Sequence, residues 1–150
     1  MAVPEKLTNT LGALDLIEDR SERIQMLIDI AGRFKEVPPQ IARRPFPKEA
    51  QVPACESEAY VFTEERPDGT LGFHFAVENP QGISAKAMAV LLDDTLSGAP
   101  PSEVAQVPQD IVYRVFGREL SMGKSMGLMG MVSMVNNLAK KQRGFTLQST

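Results

Sequence analysis

Apolar residues recur at helical spacing over Leu7, Leu11, Leu14 and Ile17, which predicts a first helix from about Glu5 to Glu18. Asp19 then reads as an N-cap, with Glu22 three residues on as in a capping box. The helix it opens carries Ile24, Leu27, Ile28 and Ala31 on one face, with Arg23 and Asp29 outside, and ends between Gly32 and Lys35. Two helices this close in sequence are expected to form an antiparallel pair. From Glu36 to Pro53 the periodicity disappears, and Pro38, Pro39, Pro45, Pro47 and Pro53 remove backbone donors; this is a stiff surface excursion. Ala59–Thr63 is a strand rich in β-formers. Arg66-Pro67-Asp68-Gly69-Thr70 is a turn in which proline presets one corner and glycine accepts positive φ. The next run alternates Leu71, Phe73, Phe75 and Val77 with Gly72, His74 and Ala76, a half-buried strand that completes a hairpin.

Asn79-Pro80-Gln81-Gly82 ends the strand. A helix follows from about Ile83 to Leu96, with Ile83, Ala87, Val90, Leu91 and Leu96 inward. After Ser97-Gly98-Ala99-Pro100-Pro101, Ser102 caps a short helix through Val107, and Pro108 starts another through Phe116. The last helix runs from near Ser121 to about Gln142, apolar at Leu128, Met129, Val132, Val135 and Leu138. The order ααββαααα predicts one α+β two-layer domain, a small antiparallel sheet packed by helices. Its core spans about residues 7–142, and the tail 144–150 is expected to fray.

Composition narrows what such a domain can do. With 150 residues, 43% hydrophobic and 23% charged, the chain can bury a core without a metal or disulfide staple. No stretch approaches the roughly 20 apolar residues of a membrane span, and the first residues lack a signal-peptide core. A net charge of −3 gives nucleic acid no basic face to grip. The expectation is a cytoplasmic protein that binds neither membrane nor nucleic acid, as a monomer or homodimer.

One cysteine, Cys55, and one histidine, His74, limit the chemistry further. A single thiol cannot form an internal disulfide, a dithiol couple or a multi-thiolate metal site, so no metal or cofactor is expected. It also excludes a three-cysteine iron–sulfur scaffold. Cys55 is either a small buried hydrophobe or a lone reactive sulfur. It follows the proline-rich segment and precedes a strand, a place where reactive groups collect. Arg43, Arg44 and Lys48 would favour its thiolate if they fold near it, whereas Glu56 and Glu58 would oppose it. His74, on the polar face of the hairpin, is a candidate base for a thiol hydrolase, without any hydrolase signature around it. Asp93-Asp94 reads as solvated charge. Five of the eight methionines lie between Met122 and Met134, as flexible core filler or an adaptable partner face loosened by Gly123, Gly127 and Gly130.

The stretch Gln51-Val52-Pro53-Ala54-Cys55-Glu56-Ser57-Glu58-Ala59-Tyr60 resembles the SufE family motif Val-x-Gly-Cys-x-Ser-x-Val-Trp, through Val52, Cys55, Ser57 and an aromatic at Tyr60. Asp19-Arg20-Ser21-Glu22-Arg23 is similar to the family's Asp-x-x-Glu-Arg, and Val37-Pro38-Pro39 to its Leu-Pro-Pro. Leu91, Leu92, Ser97 and Gly98 match its helix ending in Ser-Gly. Leu120-Ser121 with Gly127-Leu128 resembles its Leu-Ser-x-x-Arg-x-x-Gly-Leu. The likeness covers roughly Leu7 to Lys141. It implies the fold shared with IscU-type scaffolds, and a sulfur-transfer accessory protein rather than a self-sufficient enzyme. On that implication Cys55 accepts persulfide sulfur from a pyridoxal-phosphate-dependent, SufS-like cysteine desulfurase, stimulates it, and passes sulfur to an iron–sulfur scaffold complex. Arg43, Arg44, Ser57 and Lys124 would support the site or bind the partner. The chain departs from the pattern with Ala54 for glycine, Glu56 for glutamine, Lys124 for arginine and Met126 for a polar residue. Lysine cannot hold a carboxylate bidentately as arginine does, which weakens an anchoring role at 124. These departures leave a second reading open, an interaction module that binds a desulfurase or scaffold without carrying sulfur.

Overall fold

The computed structural model describes residues 2–118 and 120–142, so the tail expected to fray lies outside the described residues. Among the described residues there are six helices and one hairpin: α1 Glu5–Asp15, α2 Arg20–Ala31, β1 Ala59–Glu65, β2 Leu71–Val77, α3 Ile83–Leu96, α4 Pro101–Val104, α5 Ile111–Phe116 and α6 Met122–Lys140. This is the α+β architecture that the pattern predicts. The centre is α3, whose Ala85, Ala87, Met88, Ala89, Leu91 and Leu92 are all buried. One face of the hairpin, with Val61, Phe73 and Phe75, joins the same core.

Local chemistry sets the element boundaries. Asp19 accepts the Glu22 amide at 3.0 Å and starts α2. In the hairpin turn, Asp68 Oδ1 accepts both the Thr70 amide (3.0 Å) and its hydroxyl (2.7 Å), while Gly69 takes a φ of +86°. These bonds hold the Asp68 carboxyl below its usual range, the Thr70 hydroxyl being the main cause. Ser121 accepts the Lys124 amide at 3.3 Å and starts α6. In α6, buried Asn136 donates to the carbonyls of Val104 (2.8 Å) and Val107 (3.1 Å), fastening the α4 segment to the last helix.

Three expectations need correction. First, α1 and α2 do not form an antiparallel pair; each packs chiefly on α3. Only Leu27 and Ala31 of the expected α2 face are buried, and Ile24 and Ile28 are 48% and 43% exposed. Arg23, placed outside by periodicity, instead turns in. Its guanidinium donates to the carbonyls of Leu14, in the last turn of α1, and Ile17, just after it, and of Arg114 (2.7 Å) and Val115 (3.2 Å) in α5. A guanidinium satisfying the loose carbonyls of two helix ends rotates α2 so that Ile24 faces out. Second, β2 is buried on both faces apart from His74. The proline-rich segment lays Phe46 on Tyr60 (ring centroids 5.1 Å apart) and Phe62 (5.5 Å) of β1, the cross-strand partners of Ala76 and His74, and the Arg66 guanidinium covers Gly72. Third, Ile83 opens α3 but is 46% exposed rather than inward.

Arg44 holds that cover in place. It lies over the Phe46 ring at 5.0 Å and donates to Glu36 (2.8 Å) and Glu78 (2.9 Å). The Arg44 hydrogen bond keeps the Glu36 carboxyl below its ordinary value, and both carboxylates raise the guanidinium further still.

Candidate functional site

Cys55 stands at the tip of a loop made by closing the proline-rich segment against β1. The Val52 amide donates to the Ala59 carbonyl (2.8 Å), and Gln51 bridges Tyr60. Inside that closure the Glu58 amide donates back to the Cys55 carbonyl (3.1 Å). The turn is tight enough to put two residues in the left-handed region, Ala54 at φ 58° and Glu58 at φ 52°. That backbone suits glycine better than alanine, so the departure at Ala54 carries strain. The far side of the loop is tied to the chain after β2, where the Asn79 amide donates to the Ser57 carbonyl (3.2 Å).

Below the loop lies α6, and glycines make the contact. A Cβ on Gly127 would stand 2.9 Å from the Cys55 Cα and 3.3 Å from the Ala54 carbonyl oxygen. One on Gly130 would meet Val52 at 3.0 Å, and one on Gly123 would meet the Glu56 carboxylate at 2.7 Å. Positions 123, 127 and 130 share one helix face, so the side-chain-free stripe is the seat of residues 52–56. The expectation that these glycines loosen a partner face is corrected accordingly: the chain itself fills that space. A second close approach, Gly82 beside the Ser57 hydroxyl and Val77, brings the start of α3 against the loop.

The result is a half-buried thiol between two openings. A cleft of about 60 Å³ is lined by Cys55, Ser57, Gly82, Ile83, Lys124 and Leu128, among others. On the other side, an open groove touches Lys48, Gln51, Ala54, Cys55 and Glu56. The cleft has room for a few waters or one further sulfur atom, far below the roughly 300 Å³ at which small-molecule sites begin. Its lining sets the thiol among the Ser57 hydroxyl, Lys124 and the Glu56 carboxylate.

Of the predicted site residues, Cys55, Ser57 and Lys124 converge. Arg43 and Arg44 do not: neither lines either opening. Arg43 donates to the Pro39 carbonyl (3.3 Å), and Arg44 is engaged by Glu36 and Glu78. Lys48 is the cation of that segment that does share a groove with Cys55. His74 lies elsewhere, on the outer hairpin face, 3.1 Å from Glu64, so the hydrolase pairing lacks its geometry. Asp93 accepts the Ser97 hydroxyl (2.6 Å) and Asp94 pairs with Arg33 (3.2 Å). Sequence reasoning missed Gly82 and Ile83 as lining residues. The Gly-x-x-x-Gly spacing at 123 and 127 was the available sign of a close backbone approach.

Comparison with known proteins agrees with this geometry. Residues 8–139 match the family model described as SufE: Fe-S metabolism associated domain, and the chain belongs to that family. Its association is therefore with iron–sulfur metabolism. Among solved structures it is similar to a hypothetical protein from Thermus thermophilus, studied in solution, at 25% identity. That likeness covers 93% of this chain and 96% of the other, with a TM-score of 0.72. None of the curated proteins matches. Among the described residues, no helix is long and apolar enough to cross a membrane.

Proposed function

We propose that this protein is a sulfur carrier: Cys55 takes a sulfane sulfur from a cysteine desulfurase and hands it to an iron–sulfur scaffold. The observation that carries the reading is the position of the only thiol, half-exposed at the tip of a braced loop in a chain of the SufE family. The Cys55 thiolate attacks the outer sulfur of a persulfide on the donor cysteine. A new S–S bond forms to Cys55 as the donor's S–S bond breaks, and the donor cysteine leaves as thiolate. No electrons are gained or lost overall. The forward transfer repeats the step with Cys55 as leaving group. The 60 Å³ cleft has room for the extra atom; Lys124 and Ser57 on its lining would favour a terminal S⁻, and the Glu56 carboxylate on the same lining would oppose it. A lone reactive thiol of this kind fits a reducing compartment such as the cytoplasm. The C–S cleavage that releases sulfur from free cysteine belongs to the pyridoxal-phosphate enzyme that donates it.

Incubation with a desulfurase and cysteine, followed by intact mass measurement, tests the proposal. The wild type should gain the mass of one sulfur, reversible by a thiol reductant, and Cys55→Ser should gain none. Equal gain by the variant refutes the role of Cys55. Full desulfurase stimulation by Cys55→Ser would favour the interaction module that binds without carrying.

A further inference from the structure

The loop on the glycine stripe of α6 is bordered on both sides by apolar side chains that the fold leaves uncovered. Along a helix, positions 122 and 126 form the row beside 123 and 127, on the side away from Lys124 and Leu128. Met122 is 78% exposed and Met126 53%. Across the loop, in the cleft with Lys124, stands Ile83 at 46%. The other exposed large hydrophobics among the described residues, Leu16, Ile24, Met26 and Ile28, belong to the α1–α2 region, away from the glycine stripe; of the rim itself Ile83 lines the cleft, and Met122 and Met126 flank the stripe outside both openings.

Sulfur transfer constrains what covers this rim. The donor sulfur must come within about 2 Å of the Cys55 Sγ to form a bond. Because Cys55 is half-buried and lines both openings, a protein-borne persulfide reaches it by bringing its own surroundings against these borders. The charged residues lining the two openings are Lys48, Lys124 and Glu56, two positive and one negative, which leaves little net field to steer an encounter. Adhesion therefore falls to the apolar border, and thioethers adapt readily to a partner's shape.

We infer that Met122, Met126 and Ile83 form the docking rim for the persulfide-bearing segment of the donor desulfurase, and that this donor presents an uncharged, apolar surface around its own cysteine. The inference rests on the sulfur-carrier reading and assigns the residues that select the partner. Met122 and Met126 are positioning residues, since neither touches the reacting sulfur.

The test compares the wild type with the double variant Met122→Gln/Met126→Gln, which keeps length and helix propensity, and with Leu16→Gln as an exposed control 83% accessible on another surface. Desulfurase turnover is titrated with each protein. In parallel, Cys55 is alkylated by iodoacetamide and loaded by inorganic polysulfide, neither of which needs docking. The double variant should raise the KM for the carrier about tenfold, with kcat within about twofold and both small-molecule rates unchanged. Leu16→Gln should leave all four quantities at wild-type values. An unchanged KM in the double variant, or an equal rise in Leu16→Gln, overturns the docking rim. So does a parallel loss of alkylation or polysulfide loading, which would mean the thiol itself had been disturbed. If the wild type receives no sulfur from the desulfurase while polysulfide loads it, the carrier reading fails instead.

Discussion

Substituting Gly127 by alanine separates the glycine stripe's two effects, on helix stability and on the placement of Cys55. In an ordinary helix interior this change stabilises by about 1 kcal/mol, because glycine has the larger unfolded-state entropy. Gly12 in α1 provides that baseline, since a Cβ there meets nothing within 4 Å. At Gly127 the added carbon would stand 2.9 Å from the Cys55 Cα, closer than two such atoms can sit. The obstacle is backbone, not the yielding tip of a long side chain, so the loop or the helix must move. Overpacking of this kind costs about 1–3 kcal/mol, and subtracting the propensity gain leaves a net loss of about 0–2 kcal/mol. Gly12→Ala should therefore raise Tm by about 2–4 °C, while Gly127→Ala leaves it level or lowers it by up to about 8 °C. The second readout is specific to the site: the iodoacetamide rate at Cys55 should change in Gly127→Ala and stay at the wild-type value in Gly12→Ala. If Gly127→Ala stabilises as much as Gly12→Ala and alkylates at the wild-type rate, the seat described for the loop is wrong.

Two further outcomes follow from other parts of the fold. The Glu36 carboxyl has a folded pKa below its ordinary 4.5, so its contribution is present above that value and is lost as pH falls through the lower folded one. Acidification through this window should release the Phe46 segment from Tyr60, visible as a change in tyrosine fluorescence, and Glu36→Gln should show the released signal already at neutral pH. Asn136→Ala strips the Val107 carbonyl of its donor and leaves the Val104 carbonyl with the Val107 amide alone (3.2 Å). It should destabilise by about 1–3 kcal/mol in denaturant titration, and a loss under about 0.5 kcal/mol would show that water replaces the amide.

Legibility in the sequence followed the range of the interactions involved. The Asp19 cap, the Pro67-Asp68-Gly69 turn and the hairpin are decided by residues within a few positions of one another, and they form where the pattern places them. The face of α2 was not legible because Arg23 answers to carbonyls at Arg114 and Val115, 91 and 92 residues away. The cover on the hairpin's outer face comes from Phe46, in a segment with no period of its own, and from Arg66 beside the turn. The site divides in the same way. Cys55 and Ser57 are neighbours in the chain, and Lys124 joins them because the glycine stripe brings the start of α6 under the loop. Arg44 looked available to the thiol, but Glu78, 34 residues on, shares its guanidinium with Glu36. Ala54, noticed only as a departure from a pattern, acquires its meaning from a φ of 58° that no local rule assigns.

The loop of Cys55 is moored at Val52, at Ser57 and along α6. Under the carrier reading, a thiol fastened in this manner is a berth to which each visitor must come. With one berth, a deliverer must leave before a collector can dock. Under the carrier reading, turnover then alternates between two half-reactions, and an excess of either visitor slows the whole cycle by blocking the other.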